Sequence, residues 1–303
     1  MALKTVIFVD GQNFRHNLRD FHFRSDPPHP NNPEYRLDEK HFRWQEFFQD
    51  ALAKFDYVTG WQHQLARVYW YYAENITPWS PNLWRAQRIV DDYGMRIPEL
   101  TTDLVIQKAQ DWYEHEFRRF HQLRKSVFEE IQQNTNFLEF RYVGQYVVQP
   151  FRPYRLEYDY DGNINFQGTQ VGEKGVDIGI AVDMISKMDS FDAAVLVSGG
   201  SDFFPVVRFL KDNLKYVYHF SVGRGVGHDT QFFSSSLRGV VDCFQGFDEL
   251  ELLTNYVNEH AGIPPAIMDT INLRAAELER ILDEESMDYD HPRERDAAAM
   301  QRR

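Results

Sequence analysis

The chain has 303 residues, of which 43% are hydrophobic, 15% aromatic and 26% charged, with one cysteine and a formal net charge of −13. This composition excludes a disulfide-stapled scaffold, a collagen-like chain and a wholly disordered one, and the length suits one large domain or two small ones. The acidity argues against a simple nucleic-acid binder, which usually carries a basic balance. Residues 251–303 contribute about −6 of that net charge, so an enzyme acting on nucleic acid stays open. No apolar run approaches the ~20 residues of a membrane span. MALKTVIFVD carries no leader pattern, and a cytoplasmic protein is the expectation. The lone Cys243 supports neither a disulfide nor a zinc cluster.

In chain order, Val6, Ile7, Phe8 and Val9 form a continuous apolar run ending at Asp10-Gly11, as expected of a strand covered on both faces. A helix should follow, then a surface loop, RSDPPHPNNPEY. Trp44, Phe48, Leu52 and Phe55 recur at helical spacing and predict an amphipathic helix over 39–56. LARVYWYYA at 65–73 reads as a second strand. Residues 79–135 read as helical, with Ile106, Ala109, Tyr113, Phe117, Phe120, Val127 and Ile131 on one apolar stripe. The stretch from 137 reads as two strands, followed by a hairpin around Asp161-Gly162.

From residue 175 a regular alternation sets in: a helix over 176–188, a strand over 193–198, a helix over 202–212 and a strand over 216–221. That rhythm predicts a parallel α/β sheet. Two short helices split by Gly262-Ile263-Pro264-Pro265 are expected over 248–283. The polar sequence from 284 reads as a flexible tail that orders against a partner.

Three carboxylates stand where α/β enzymes place their chemistry, beyond the carboxyl ends of strands. Asp10 ends the first strand, Asp177 opens the helix after the hairpin, and Asp202 follows AAVLVS across Gly199-Gly200. If the strands ending at Asp10 and Ser198 are neighbours, Asp10 and Asp202 converge. Carboxylates without a His or Cys cluster favour Mg²⁺ or Mn²⁺ over Zn²⁺, and such an ion activates water at a phosphodiester. An aspartate after a strand also commonly caps a helix, which suits Asp202 as well.

VIFVDGQNF, EKGVDIGIAVDMI and AVLVSGGSDFFPVVRFLKDN, in that order, resemble the three motifs of the NYN family of PIN-like nucleases. SSSLRGVVDCF at 234–244 resembles its closing segment. The likeness covers roughly 1–14 and 172–244. It implies a three-layer PIN-like α/β fold with a central parallel sheet, here over 1–250, with a helical insert at about 79–170 and a helical extension and acidic tail over 251–303. It also implies an endoribonuclease cleaving RNA with Mg²⁺ or Mn²⁺. Asp10, Asp177 and Asp202 become catalytic metal ligands, with Asp183 beside them. Asn13 matches the family's Asn and would orient a ligand or water near Asp10; with Ser198, and with the basic Lys174, Arg208 and Arg224 near the motifs to meet phosphates, it is an expected substrate contact. A protein partner on the C-terminal extension and a homo-oligomer complete the expectations.

The family's usual SGDSDF is SGGSDF here, so Gly200 replaces an acid. Either Asp202 takes over or the domain binds RNA, or a protein, without cutting. Asp183 sits about 120° around the helix from Asp177, which favours a supporting role. The loop SVGRGVGHD, with Arg224 and His228, could bring amides to a phosphate or be plain exposed loop. RRFHQLRK at 118–125 reads as a solvated helix face, and Tyr69, Trp70, Tyr71 and Tyr72 as mainly core rather than base-stacking platforms. Gln12 stands where haloacid-dehalogenase phosphatases need a second Asp, and the P-loop and dinucleotide motifs are absent.

Overall fold

The structure, a computed structural model, describes residues 2–24 and 34–300, with side chains as far as residue 286. The predicted Pro- and Asn-rich loop therefore falls, for 25–33, outside the described residues. The chain divides into two compact units. The first comprises 1–70, 134–139 and 181–303, and the second 71–133 and 140–180.

The first unit is built on a mostly parallel sheet. Its strands are β1 (Leu3–Asp10), β2 (His63–Tyr72, in this unit to residue 70), β3 (Leu138–Tyr142, in this unit to residue 139), β4 (Ala193–Val197), β5 (Tyr216–Arg224), β6 (Gln231–Phe232) and β7 (Cys243–Phe247). Their order is β6-β5-β4-β1-β2-β3, with β7 also beside β5. Strands β1 and β4 run parallel from Thr5 opposite Ala193 to Val9 opposite Val197. Strand β5 continues parallel to β4, and β7 parallel to β5. Ile7, Phe8 and Val9 in β1 and Ala193 through Leu196 in β4 are fully buried, so both faces of the sheet centre are covered, as the unbroken apolar runs predict.

Helices follow β1 and β4 directly. Gly11–Arg19 leaves the end of β1, and a tight turn, Ser201–Phe203, leads from β4 into Phe204–Asp212. The expected 39–56 helix is Trp44–Thr59, preceded by a separate turn at Glu39–His41. Its apolar face fills an aromatic core. Trp44 packs edge-on against Trp70 at 4.8 Å, Phe47 lies 4.5 Å from Phe247, and Phe14 of the first helix sits 5.7 Å from Trp44. Phe14 pins the helix whose first turn hangs on Asp10.

Residues 265–300 form one helix, Pro265–Met300, where a second short helix and a flexible stretch from 284 are expected. Pro265 suits the first helical position. From 266 to 286 no Gly or Pro interrupts a run rich in Ala, Leu, Glu and Arg, so the sequence has the propensity to continue.

The second unit contains the helices Leu83–Tyr93 and Thr102–Leu123, a three-stranded sheet of Asn75–Ile76, Gln145–Gln149 and Thr169–Lys174, and the hairpin Arg155–Tyr158/Ile164–Gln167. Gly162 holds the hairpin turn at φ 79°. The predicted stripe slips along the long helix. Phe117 is 42% exposed while Glu116 is buried, accepting from Gln170 Nε2 at 2.8 Å and pairing with Arg119 at 2.8 Å. The helix then widens into a π turn at Arg124–Phe128, which brings Phe128 inward against Tyr72 and Phe140 at 4.3 and 4.6 Å. A one-residue insertion of this kind breaks any fixed 3.6 period.

Phe47 touches more of the aromatic core than any neighbour in its helix. Phe47→Ala is expected to lower unfolding free energy by about 3–5 kcal/mol, measured by urea denaturation of the full chain.

Candidate functional site

The carboxyl edge of the β1–β4 pair is organised around Asp10. Its backbone is extended (φ −72°, ψ 99°), and its Oδ1 accepts from the Asn13 amide at 3.2 Å, capping the helix Gly11–Arg19. Its Oδ2 accepts from Ser198 Oγ at 2.8 Å. Because Val9 lies opposite Val197, Asp10 and Ser198 are the next residues of two adjacent parallel strands. Asp10 is only 8% exposed, so the two donors replace water that folding removes.

A second tier holds the first. Asn13 Oδ1 accepts from the Gly199 amide at 2.9 Å and from Ser234 Oγ at 3.3 Å, while Asn17 Nδ2 donates to Ser234 Oγ at 3.0 Å. Ser198 Oγ also accepts from the Gly200 amide at 3.2 Å, and Ser236 Oγ donates to Gly199 O at 2.8 Å. Buried His219 of β5 lies between Leu196 O and Ser234 O, each 2.7 Å from a ring nitrogen. Burial pushes that ring's pKa down, and the two carbonyls pull partly against it.

Asn13 and Ser198, expected as substrate contacts, hold Asp10 and the Gly199 turn in place. Asn17, His219, Ser234 and Ser236 were not singled out from sequence as site residues. The only signal was the closing-segment likeness at 234–244.

The remaining acids lie in different settings. Asp202 sits in the Ser201–Phe203 turn, exposed, and makes no hydrogen bond or ion pair among the described residues. It caps no helix, so its capping role is not realised. Asp183, in the first unit, pairs with Lys187 Nζ at 2.6 Å, which fits the supporting role its angle implies. Asp177 belongs to the second unit, exposed on the first turn of Val176–Ser186. Lys174 is exposed in the second unit, and Arg208 is exposed on Phe204–Asp212.

The two glycines of the turn differ. A Cβ at Gly199 would lie 2.9 Å from Ser234 Oγ and 3.0 Å from Asn13 Nδ2. A Cβ at Gly200 would meet nothing closer than 3.5 Å, on a backbone with φ −79° that any residue adopts. Only at the first position would a Cβ crowd neighbouring side chains.

The loop at 223–230 is already engaged by acids of its own chain. The Gly225 amide donates to Glu249 Oε2 at 2.8 Å and the His228 amide to Glu285 Oε2 at 3.3 Å. Val226 within the loop is buried, while Arg224, Gly227, His228 and Asp229 are exposed. Exposed Arg224 borders a cleft of about 620 Å³ with Arg24 and Arg274. Arg274 of the C-terminal helix meets Glu249 with two nitrogens at 2.9 and 3.1 Å. Burial pushes the Glu249 carboxyl up, but Arg274 and the Gly225 amide outweigh it and hold it below the usual range. Elsewhere, Arg124 of the 118–125 run donates to the carbonyls of Ala73 and Glu74. Trp70, Tyr71 and Tyr72 are buried, so they serve as core.

Among the described residues, no group of three or more His, Cys, Asp or Glu side chains could hold a metal ion. Asp10 and Asp202 are hard oxygen donors suited to Mg²⁺ or Mn²⁺, but the residues present do not assemble a complete donor set.

Residues 116–248 match the family model of the NYN domain. The match begins after VIFVDGQNF, yet β1 pairs along its length with β4 inside the matched segment, so the structure itself joins Asp10 to it. A protein of unknown function from Vibrio parahaemolyticus has a crystal structure similar over 82% of this chain and 94% of its own, at 18% identity and a TM-score of 0.35. No curated protein matches the chain.

Gly199→Ala is expected to disrupt the Asn13–Ser234 contacts and lower the melting temperature, whereas Gly200→Ala leaves it within about 0.5 kcal/mol of the parent, read by thermal denaturation. Arg274→Ala should cost about 2–3 kcal/mol at neutral pH, since it leaves a buried carboxylate unpaired beside a partly exposed partner site. A carboxyl held low in the folded state stabilises above its unfolded pKa of about 4.3 and loses that contribution as pH falls through the folded value. The gap between parent and Arg274→Ala should therefore close in melts run at acid pH.

Proposed function

We propose, on the premise that the chain carries an NYN domain over 116–248, that it is an endoribonuclease acting at the carboxyl edge of β1 and β4. The observation that supports this most is the clamped Asp10: a nearly buried carboxylate held from two sides, by Ser198 Oγ and the Asn13 amide, where two parallel strands end. Structural needs alone would be met by a neutral cap. A fixed carboxylate at a strand end provides a preorganised negative charge instead.

The division of labour follows from mobility and exposure. Asp10 cannot swing and sets the position of the reacting group. Asp202 is exposed and free among the described residues, so it is the acid able to meet water or accept a proton at the substrate. Arg208, exposed on the helix that follows, is the nearest cation along the chain for a phosphate.

Nucleases of this kind generally depend on divalent metal. Mg²⁺ or Mn²⁺ would meet Asp10 and Asp202, with Asp177 and Asp183 the further acids that the family's motifs name. With no three-acid group among the described residues, no bond-breaking step is assigned to the ion. RNA is the substrate this reading implies.

A second reading, RNA binding without hydrolysis, is favoured by Gly200. A Cβ there would make only ordinary van der Waals contacts, from 3.5 Å outward, and φ is ordinary. Neither the backbone nor the space for a Cβ therefore requires glycine in place of the acid missing from SGGSDF.

One assay decides between them: cleavage of end-labelled single-stranded and structured RNA with Mn²⁺. For an endoribonuclease, the parent cuts internally and chelator stops it. Asp10→Asn should then lose about 10²–10³ in rate, as when one preorganised electrostatic group is removed. A parent that binds without cutting, with cleavage appearing in Gly200→Asp, establishes the second reading. Undiminished cleavage by Asp10→Asn rejects the assignment of the site.

A further inference from the structure

The second unit contains a cleft of about 850 Å³, larger than the one beside Arg224 and within the range of about 300–1,000 Å³ typical of ligand sites. One wall is the helix Leu83–Tyr93, started by Asn82, whose Oδ1 accepts from the Arg85 amide at 3.0 Å. Trp84 and Arg88 lie four residues apart on it, hence on one face, and both line the cleft together with Arg85. The opposite wall is the turn at 150–153, which contributes Phe151 and Arg152. Trp79 lies against Phe151, ring centroids 5.6 Å apart.

Three features of this cleft are not explained by folding. Trp84 is 69% exposed, although an exposed indole leaves a large apolar surface in water that nothing in the unit covers. The Trp79 indole N–H is buried with no acceptor among the described residues, a rare state for a buried donor. The guanidiniums of Arg85, Arg88 and Arg152 form no ion pair among the described residues, and Asp92 is the only acid in the lining. A local excess of two positive charges thus sits on a chain whose net charge is −13.

We infer that this cleft binds a short single-stranded RNA segment. Unstacked bases offer faces to Trp84 and other aromatic rings, and their phosphates meet the arginine forks. A duplex keeps its base faces stacked away from such rings. A proline-rich peptide also docks on aromatic grooves, but it would leave the three guanidiniums without counter-charges. Charge therefore favours the polyanion. From the proposed function this inference borrows only the choice of RNA among polyanions, since the residues involved lie outside the sheet-edge site.

The test is fluorescence anisotropy of a labelled single-stranded RNA octamer with the full chain, in chelator so that nothing is cut. Expected are tighter binding of the single strand than of the matching duplex, weakening with salt, and a loss of about tenfold in both Trp84→Ala and Arg88→Glu, with Trp84→Phe retaining most of the affinity. Both side chains are exposed, and a thermal melt checks that each variant folds. Equal affinity in parent and variants overturns the inference, as does preference for the duplex, or saturable binding of a proline-rich peptide where the octamer fails. Asp10→Asn separates the two claims. Lost cleavage with octamer binding intact supports both, and unchanged binding by Trp84→Ala in a protein that still cleaves removes this inference alone.

Discussion

The hydrogen bond from Ser198 Oγ to Asp10 Oδ2 joins residues 188 apart in sequence, and the organisation of the site depends on it. Parallel pairing of β1 and β4 places the two side by side with no residue to spare. The Asn13 amide completes the clamp, so one carboxylate both caps a helix and faces the sheet edge. Without the bond, a nearly buried acid would lose one of its donors, at a cost of about 1–3 kcal/mol. The Gly199 turn, Asn13 and Ser234 are arranged to keep that geometry, and the aromatic core around Phe14 and Trp44 holds the helix on which Asn13 and Asn17 ride.

The charge distribution carries a second lesson. The chain is acidic overall, yet several of its acids are used internally as anions for backbone amides. Glu249 and Glu285 take amides of the 223–230 loop that a phosphate would otherwise approach. Lys187 and Arg274 are likewise committed to Asp183 and Glu249. The arginines left unpaired along the second unit's cleft are thus a departure from the chain's general economy of charge, as is the unpaired Asp202 at the sheet edge.

Much of the fold was legible because it rests on local pattern. Unbroken apolar runs located β1 and β4, and the spacing of Trp44, Phe48, Leu52 and Phe55 located their helix. Strand Thr169–Lys174 was missed because TQVGEK has no apolar alternation; it exists through pairing with Gln145–Gln149. The stripe on the long helix failed at Phe117 and Val127, where a buried glutamate and a π turn change which residues face inward. At the site, Asp10 was legible as a strand-end acid. The roles of Asn13 and Ser198 as its supports were not, since they arise only when strands distant in sequence meet. His219 and Ser234 were invisible for the same reason. The difference between Gly199 and Gly200 is steric and appears only when neighbours are in place.

Hydrogen exchange in the presence of RNA, with chelator to prevent turnover, tests the central claim most directly. If the carboxyl edge of β1 and β4 is where this protein meets RNA, amides at 10–14 and 198–203 slow their exchange when RNA is added. RNA bound at saturation with exchange in both segments unchanged would contradict it.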